Sequence, residues 1–380
     1  MLGTRPEAIK LSPLILEFQK HDDFDPVVCS TGQHREMLDQ VLGYFGIKPD
    51  IDLELMKPGQ SLAGLTAALV TAIDGVINDP GTAAVDSVVV QGDTTTVMVA
   101  AVIAFYHRLP IVHVEAGLRT GDLYAPWPEE FNRRVAGIVA TLHCAPTQSS
   151  ADALHAERID PNDVRVTGNT VIDALKIAAA RERADNRWAE KYPMLDGHRL
   201  VLITGHRREN FGDGLRRTCD AITQLADGHR DVQFVYPVHL NPNVRDVVND
   251  RLAGRSNIHL VPPAAYNEFV WLMDRADVVL TDSGGVQEEA PSLGAAVIVT
   301  REKTERPEAV EAGLAQLVGT DPDKIVTAVT QALADTQPTN RTTPTTPSDA
   351  PFANNPYGDG HASERIVDWM RQRLVAGSKH

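Results

Sequence analysis

Short runs of apolar residues, each closed by a polar residue or glycine, recur along the chain between longer stretches of helical period. Ser87–Gln91 and Ile111–Val114 are the clearest pair, joined by an apolar crossover of helical length. Strand, loop, helix, strand is the signature of a parallel sheet covered on both faces. Before this pair the pattern predicts a helix over AIKLSPLILEFQK, a strand at Asp25–Ser30, a helix over MLDQVLGYFG and a long helix over Leu62–Ile77. After it come a strand at Leu142–Ala145, a helix near Ser149–Glu157 and a strand at Val164–Val166. Thr167-Gly168-Asn169-Thr170 then reads as a hinge. The alternation resumes with strands at Leu200–Thr204, Gln233–Pro237, Ile258–Val261, Val278–Thr281 and Ala296–Val299, with helices over 213–226, 266–276 and 286–292. The reading is an α/β chain of two doubly wound halves facing one cleft.

Two features sit outside this rhythm. Gly3-Thr4-Arg5-Pro6-Glu7 has the form of a glycine turn opening a helix, which normally follows a strand, yet only Met1 and Leu2 precede it. The expectation is that a first strand is missing and that the true start lies upstream. Residues 334–353 are rich in Pro and Thr without periodicity and read as a loop or semi-rigid linker, before an amphipathic helix over His361–Val375.

Composition narrows the function. At 380 residues the chain exceeds what one core usually supports, so two domains are expected. A formal charge of -15 argues against nucleic acid as a partner. No apolar run is long enough to cross a bilayer and no signal-peptide pattern opens the chain, so no membrane partner is expected and the cytoplasm is the default location. Cys29, Cys144 and Cys219 are isolated, without the spacing of a zinc or redox pair, and no metal site is expected.

The candidate chemistry gathers at strand ends, where the ligand crevice of an open parallel sheet lies. Asp93 stands just beyond the first strand of the clear pair, Glu115 directly after the second, and Glu129 in the loop beyond. Three carboxylates there suit an acid/base site better than packing, although Asp93 has a local role open to it as a helix cap. In the second half, Asp282-Ser283-Gly284-Gly285 lies between a strand and a helix, where backbone amides meet a phosphate. Glu289 follows in that helix, placed to accept from a ribose hydroxyl pair, and His206 and Arg207 end the strand at Thr204. Together they favour a nucleotide diphosphate. Arg5, in its turn, also favours an anion.

These residues carry a resemblance. Gly3-Thr4-Arg5-Pro6-Glu7, QGDTTT, HVEAGLRTGDLYAPWPEE, GNTVIDAL, TGHRREN, YPVHLNPNV, DSGGVQEEAPSLG, ERPEAV and NPYGDG resemble, in order and over almost the whole chain, the bacterial non-hydrolysing UDP-N-acetylglucosamine 2-epimerase family. The resemblance implies a GT-B-like fold of two Rossmann-like domains, residues 1–168 and 169–360, with the active site in the interdomain cleft and residues 361–380 packing back on the first domain. It implies reversible interconversion of UDP-N-acetylglucosamine and UDP-N-acetylmannosamine without a cofactor. UDP leaves C1 as a base takes the C2 proton, and UDP adds back to the 2-acetamidoglucal so formed. Asp93, Glu115, Glu129 and His206 would be catalytic. Arg5, Lys10 and His206 would hold the diphosphate, Ser283, Gly284, Gly285 and Glu289 phosphate and ribose, and Arg306 and Phe269 would lie near phosphate and uracil. Gln33, His34 and His239 fall on the motifs of an activator site that takes a second substrate molecule. A homodimer and a role in bacterial surface polysaccharide synthesis are also implied.

The absent strand is expected to loosen the Arg5 loop. The rival readings are a GT-B glycosyltransferase, a hydrolysing epimerase of the same sugar nucleotide and a non-catalytic sugar-nucleotide sensor. A dehydrogenase is disfavoured, since no GxGxxG follows an early strand.

Overall fold

The structure, a computed structural model, describes residues 1–32, 35–57, 59–79, 85–185, 187–205, 207–336, 352 and 354–375. It divides into two units, Met1–Ala174 with Tyr357–His380, and Leu175–Pro356.

The first unit runs α1 (Arg5–Phe18), β1 (Cys29–Ser30), α2 (Arg35–Phe45), β2 (Ile51–Asp52), α3 (Leu62–Asn78), β3 (Val88–Gln91), α4 (Thr95–Tyr106), β4 (Ile111–Val114), α5 (Glu129–Val139), β5 (Leu142–Ala145), α6 (Gln148–Ala156) and β6 (Val164–Val166). Strands β3-β4-β5-β6 form one parallel sheet, and β1-β2 a separate parallel pair. Every residue of β4 is buried, as expected of a strand covered on both faces. Val88, Val90 and Ile111 pack with Val97, Ala100, Ala101 and Ala104 of α4 and Leu65, Leu69 and Ile73 of α3. Each large aliphatic side chain so buried contributes about 1.5–3 kcal/mol. Thr94 caps α4 by accepting from the Val97 amide.

Met1 and Leu2 lie where the expected strand would end. Leu2 bridges Ser30 in parallel, donating to Cys29 O at 3.0 Å and accepting from the Thr31 amide at 2.9 Å. The Met1 amine donates to Val89 O at 3.1 Å on the other side. The turn after them is therefore anchored, which departs from the loose loop expected. The strand expected at Asp25–Ser30 shortens to Cys29–Ser30.

Helix α7 (Thr170–Arg183) carries the chain from one unit into the other, the division falling between Ala174 and Leu175 where a limit at Gly168 is expected. The second unit continues with α8 (Arg187–Lys191), β7 (Arg199–Thr204), α9 (Asp213–Gly228), β8 (Val232–Pro237), α10 (Pro242–Leu252), β9 (Ile258–Val261), α11 (Tyr266–Arg275), β10 (Val278–Thr281), α12 (Gly284–Glu289), β11 (Ala296–Val299), α13 (Pro307–Glu311), β12 (Ala315–Leu317) and α14 (Pro322–Asp335). Its sheet is parallel throughout, in the order β12-β11-β10-β7-β8-β9. The order reverses direction between β7 and β10, the switch point at which doubly wound sheets bind ligands. Val201, Ile203, Phe234 and Leu280 of the sheet pack with Leu215, Ile222 and Leu225 of α9 and Ile325, Val329 and Leu333 of α14.

Two boundaries differ from expectation for local reasons. α12 starts at Gly284 rather than 286 because Ser283, in extended conformation, already serves as its N-cap. Ala334 and Asp335 complete α14, so the Pro/Thr-rich loop begins later than 334; residues 337–351 and 353 lie outside the described residues.

The chain rejoins the first unit at Tyr357 and ends in α15 (Ala362–Met370), which buries Ile366, Val367, Trp369 and Met370. Asp173 of α7 caps α15 from a distance, accepting from the amides of Ala362 at 3.2 Å and Ser363 at 2.7 Å. Among the described residues, no helix is long and apolar enough to cross a membrane.

Candidate active site

In the first unit the acids sit at the ends of two adjacent strands, β3 and β4. The Gly92 amide donates to Val114 O at 3.0 Å, closing the sheet just before Asp93. Glu115 follows β4 with φ at 61°, a left-handed backbone that non-glycine residues seldom adopt. Its carboxylate lies in a nest of donors. Lys10 Nζ lies 2.6 Å from both carboxylate oxygens, Asn169 Nδ2 donates to Oε1 at 3.1 Å, and Gln91 Nε2 donates to Oε2. The Glu115 side chain is only 4% exposed, and a charge so removed from water requires this compensation.

Asp93 is paired differently. Arg133 Nη2 stands 2.5 Å from Oδ2, and Asn132 Nδ2 donates to the Asp93 carbonyl at 2.9 Å. Burial pushes the Asp93 carboxyl above its ordinary value of 3.8; Arg133 opposes the rise and Glu115 adds to it. Arg133 in turn reaches Glu130, fully buried at the start of α5, which also accepts from the Thr120 amide at 3.1 Å and from Arg134 at 3.0 Å. Burial works against that carboxylate, but these donors hold it below the usual range. Glu130 is thereby committed to structure.

Glu129, expected in a loop, is instead the first residue of α5 and half-buried. Its helix touches Asp93 through Asn132 and Arg133, less than a turn and about one turn further on.

The glycine turn at Arg5 joins this group through Glu7. Thr4 and Glu7 form a capping box, and Glu7 Oε2 accepts from the Gly3 amide at 3.1 Å and the Thr4 amide at 2.7 Å. Glu7 Oε1 accepts from Thr94 Oγ1 at 2.8 Å, tying the start of α1 to the cap of α4. Arg5 opens α1, half-buried. Lys10, expected at a diphosphate, is engaged with Glu115.

Two neighbours shape the strand ends. His113, buried and pushed down to about 4, is neutral, and its Nε2 lies 2.8 Å from Gly92 O; only the Nε2–H tautomer satisfies that carbonyl. Gly117 has φ at 93°, and a Cβ there would meet Ser150 O at 2.2 Å, so the turn after Glu115 admits glycine alone.

At the switch point of the second unit two strand-end turns come together. Asp282 Oδ2 accepts from the Arg207 amide at 2.9 Å and from Asn210 Nδ2 at 3.3 Å, which draws the turn after β7 onto the turn after β10. A Cβ on Gly284 would lie 3.3 Å from Arg207 Nη2 and 3.7 Å from Arg306 Cζ, so two guanidinium groups crowd the Ser283–Gly284 backbone. Arg306 is oriented by Glu288, 2.5 Å from its Nε, and Arg207 by Glu305 at 3.3 Å. A Cβ on Gly285 would lie 3.8 Å from Glu289 Oε1. Phe269 is half-buried on α11. His239 is exposed, its Nδ1 accepting from the Asn241 amide at 3.1 Å. Gln33, His34 and His206 lie outside the described residues.

Asp93, Glu115 and Lys10 thus come together in one unit, and Ser283, Gly284, Glu289 and Arg306 in the other. Sequence reading passes over Gln91, Asn169, Asn132 and Arg133, which orient the acids. Gln91 gives a faint signal as a polar residue ending an apolar strand; Asn169 and Arg133 act over long sequence separations and give none.

Comparison with known proteins shows the family to which the chain belongs. A family model described as UDP-N-acetylglucosamine 2-epimerase matches residues 16–371. The UDP-N-acetylglucosamine 2-epimerase of Yersinia pestis is 49% identical, over 99% of this chain and 98% of the relative. That of Escherichia coli (strain K12) is 47% identical with the same coverage. Among solved structures, the Neisseria meningitidis UDP-GlcNAc 2-epimerase bound to UDP-GlcNAc matches with a TM-score of 0.85 and 45% identity over 98% of each chain. The Methanocaldococcus jannaschii UDP-GlcNAc 2-epimerase, in complex with UDP-GlcNAc and UDP, matches with a TM-score of 0.77 and 30% identity over 98% of each chain.

Proposed function

Since this chain belongs to the UDP-N-acetylglucosamine 2-epimerase family and is an enzyme of the carbohydrate isomerase class, we propose that it inverts C2 of UDP-N-acetylglucosamine to give UDP-N-acetylmannosamine, and the reverse, without hydrolysis. The observation that carries this reading is the pair of carboxylates at adjacent strand ends, Asp93 and Glu115, each with its own cation.

The chemistry proceeds in two halves. A carboxylate takes the C2 proton while the C1–O bond breaks and its electron pair leaves with UDP, so that a C1=C2 double bond forms. UDP oxygen then adds to C1 as a proton is delivered to the other face of C2. Two faces require two acid/base groups, a role shared among Asp93, Glu115 and Glu129. Arg207, Arg306 and the Ser283–Gly285 backbone of the second unit suit the departing diphosphate, whose charge they offset as it develops. Arg5 and His206 complete that role, with Glu289 at the ribose and Phe269 at the uracil. Gln33, His34 and His239 form the activator site for a second substrate molecule.

The product feeds a bacterial surface polysaccharide. Phe105, Tyr106 and Ile138, well exposed along α4 and α5, support homodimer formation through that face.

Incubation with UDP-N-acetylglucosamine in deuterated water, followed by NMR, tests the reaction. The expected result is the C2 epimer with deuterium at C2 and UDP still attached. Free sugar, or sugar transfer only on addition of an acceptor, overturns the reading in favour of a hydrolase or a transferase.

A further inference from the structure

Asn169 is fixed on every side by its own unit. Its backbone N–H donates to Tyr357 O at 2.6 Å, and its Oδ1 accepts from the Val171 amide at 3.1 Å, starting α7. The second bond settles which end of the amide is which: with Oδ1 occupied by a donor, Nδ2 is the group that faces Glu115 Oε1, 3.1 Å away. A glycine contact presses on the same backbone. A Cβ on Gly358 would lie 3.4 Å from the Asn169 nitrogen, and one on Gly168 would lie 3.3 Å from Gly358 Cα. Asn169 is itself buried, at 2% exposure.

Glu115, by contrast, stands on a turn whose left-handed backbone does not by itself fix a side-chain rotamer. Lys10 contributes charge, but a lysine ammonium on a flexible stem supplies little direction. Gln91 holds Oε2 from the strand side. Oε1 is the oxygen that Asn169 marks out.

We propose that Asn169 is a positioning residue for the reaction, aiming the Glu115 carboxylate from the turn between β6 and α7, where Tyr357 and Gly358 of the same unit pack on its backbone. This rests on the reading of Glu115 as an acid/base group. Displacing such a group by about 1 Å typically costs two orders of magnitude in rate. Asn169 acts through Glu115, so its effect falls on turnover rather than on sugar-nucleotide affinity.

The test uses the full chain with Asn169→Ser and Asn169→Thr. Both keep a hydroxyl oxygen for the Val171 amide on a side chain one bond shorter than the Nδ2 that meets Glu115, so neither removes the helix start. The expected result is a kcat lower by about tenfold or more, a KM for UDP-N-acetylglucosamine changed by less than about threefold, and a thermal midpoint that stays well above the assay temperature. Placed on Glu115→Gln, which is expected to retain only residual turnover, Asn169→Ser lowers that turnover no further. Wild-type kcat in both Asn169 variants, with Glu115→Gln inactive, overturns the positioning role alone. A kcat loss that tracks a fallen thermal midpoint also overturns it, since that is a structural effect. Full turnover in Glu115→Gln overturns the reading of Glu115 itself, and the inference with it.

Discussion

Lys10 Nζ stands 2.6 Å from both carboxylate oxygens of Glu115, a bidentate pair between the middle of α1 and the end of β4. With side-chain exposures of 17% and 4%, water screens this pair weakly. Its lysine belongs to the helix opened by Gly3–Glu7 and its glutamate to the turn after a central strand, so the pair fastens that helix to the acids.

Removing the cation alone strands a buried carboxylate. Lys10→Met is expected to destabilise the first unit by about 3–5 kcal/mol, read as a lower urea midpoint, and to abolish most turnover. Lys10→Met combined with Glu115→Gln recovers much of that stability, because the uncompensated charge is gone. Equal stability of wild type and Lys10→Met would show that the pair is not what fastens the helix.

Asp93 carries the pH prediction. Its folded value is raised, opposite to the usual aspartate, so the folded state binds its proton more tightly than the unfolded chain. The stability it contributes is present below its ordinary value of 3.8 and is lost as pH rises through the folded value. Asp93→Asn, neutral at all pH, therefore flattens the loss of stability in that window while removing turnover. For the wild type, the acidic limb of kcat against pH is expected above the ordinary aspartate range. Denaturation of both proteins across acidic pH, beside a rate profile, checks the two; a limb at or below 3.8 contradicts the raised value.

Gly117 and Gly121 make a controlled comparison, since both have positive φ, at 93° and 82°. A Cβ at Gly117 meets Ser150 O at 2.2 Å, whereas at Gly121 nothing lies within 4 Å. Gly121→Ala pays only for backbone conformation, about 1 kcal/mol. Gly117→Ala must also push β4 and α6 apart, and a loss of more than about 3 kcal/mol is expected. Calorimetric midpoints of the two variants should separate clearly; if they match, the close approach after Glu115 is softer than it stands here.

Much of this molecule was legible from residue pattern. Buried parallel strands announce themselves as unbroken apolar runs, and Val278–Thr281 and Ala296–Val299 fall where the pattern puts them. Glu115 is visible because it directly follows such a run, and Asp93 because it lies one residue beyond another. Residues that aim those acids are not visible in the same way. Arg133 reaches Asp93 from a different element, and Asn169 reaches Glu115 across 54 positions, so only the folded chain brings them together. Glu130 misleads in the other direction: beside Glu129 it looks equally exposed, but the helix turn sends it inward to Arg133, Arg134 and the Thr120 amide. Short strands such as Ala315–Leu317 lack the length for a pattern and depend on the edge of a sheet already formed.

The first unit is stitched from both ends of the chain. α15 buries four large side chains there, Asp173 supplies its cap, Arg371 pairs with Asp23 at 2.6 Å, and the Arg165 guanidinium lies over the Trp369 ring. On the ribosome, the residues of α1 to α6 emerge long before the helix that covers them. The second unit, contiguous in sequence, can close on its own as it is made. The unit carrying the acids is therefore synthesised first and completed last, spending the interval with the seat of α15 open to solvent.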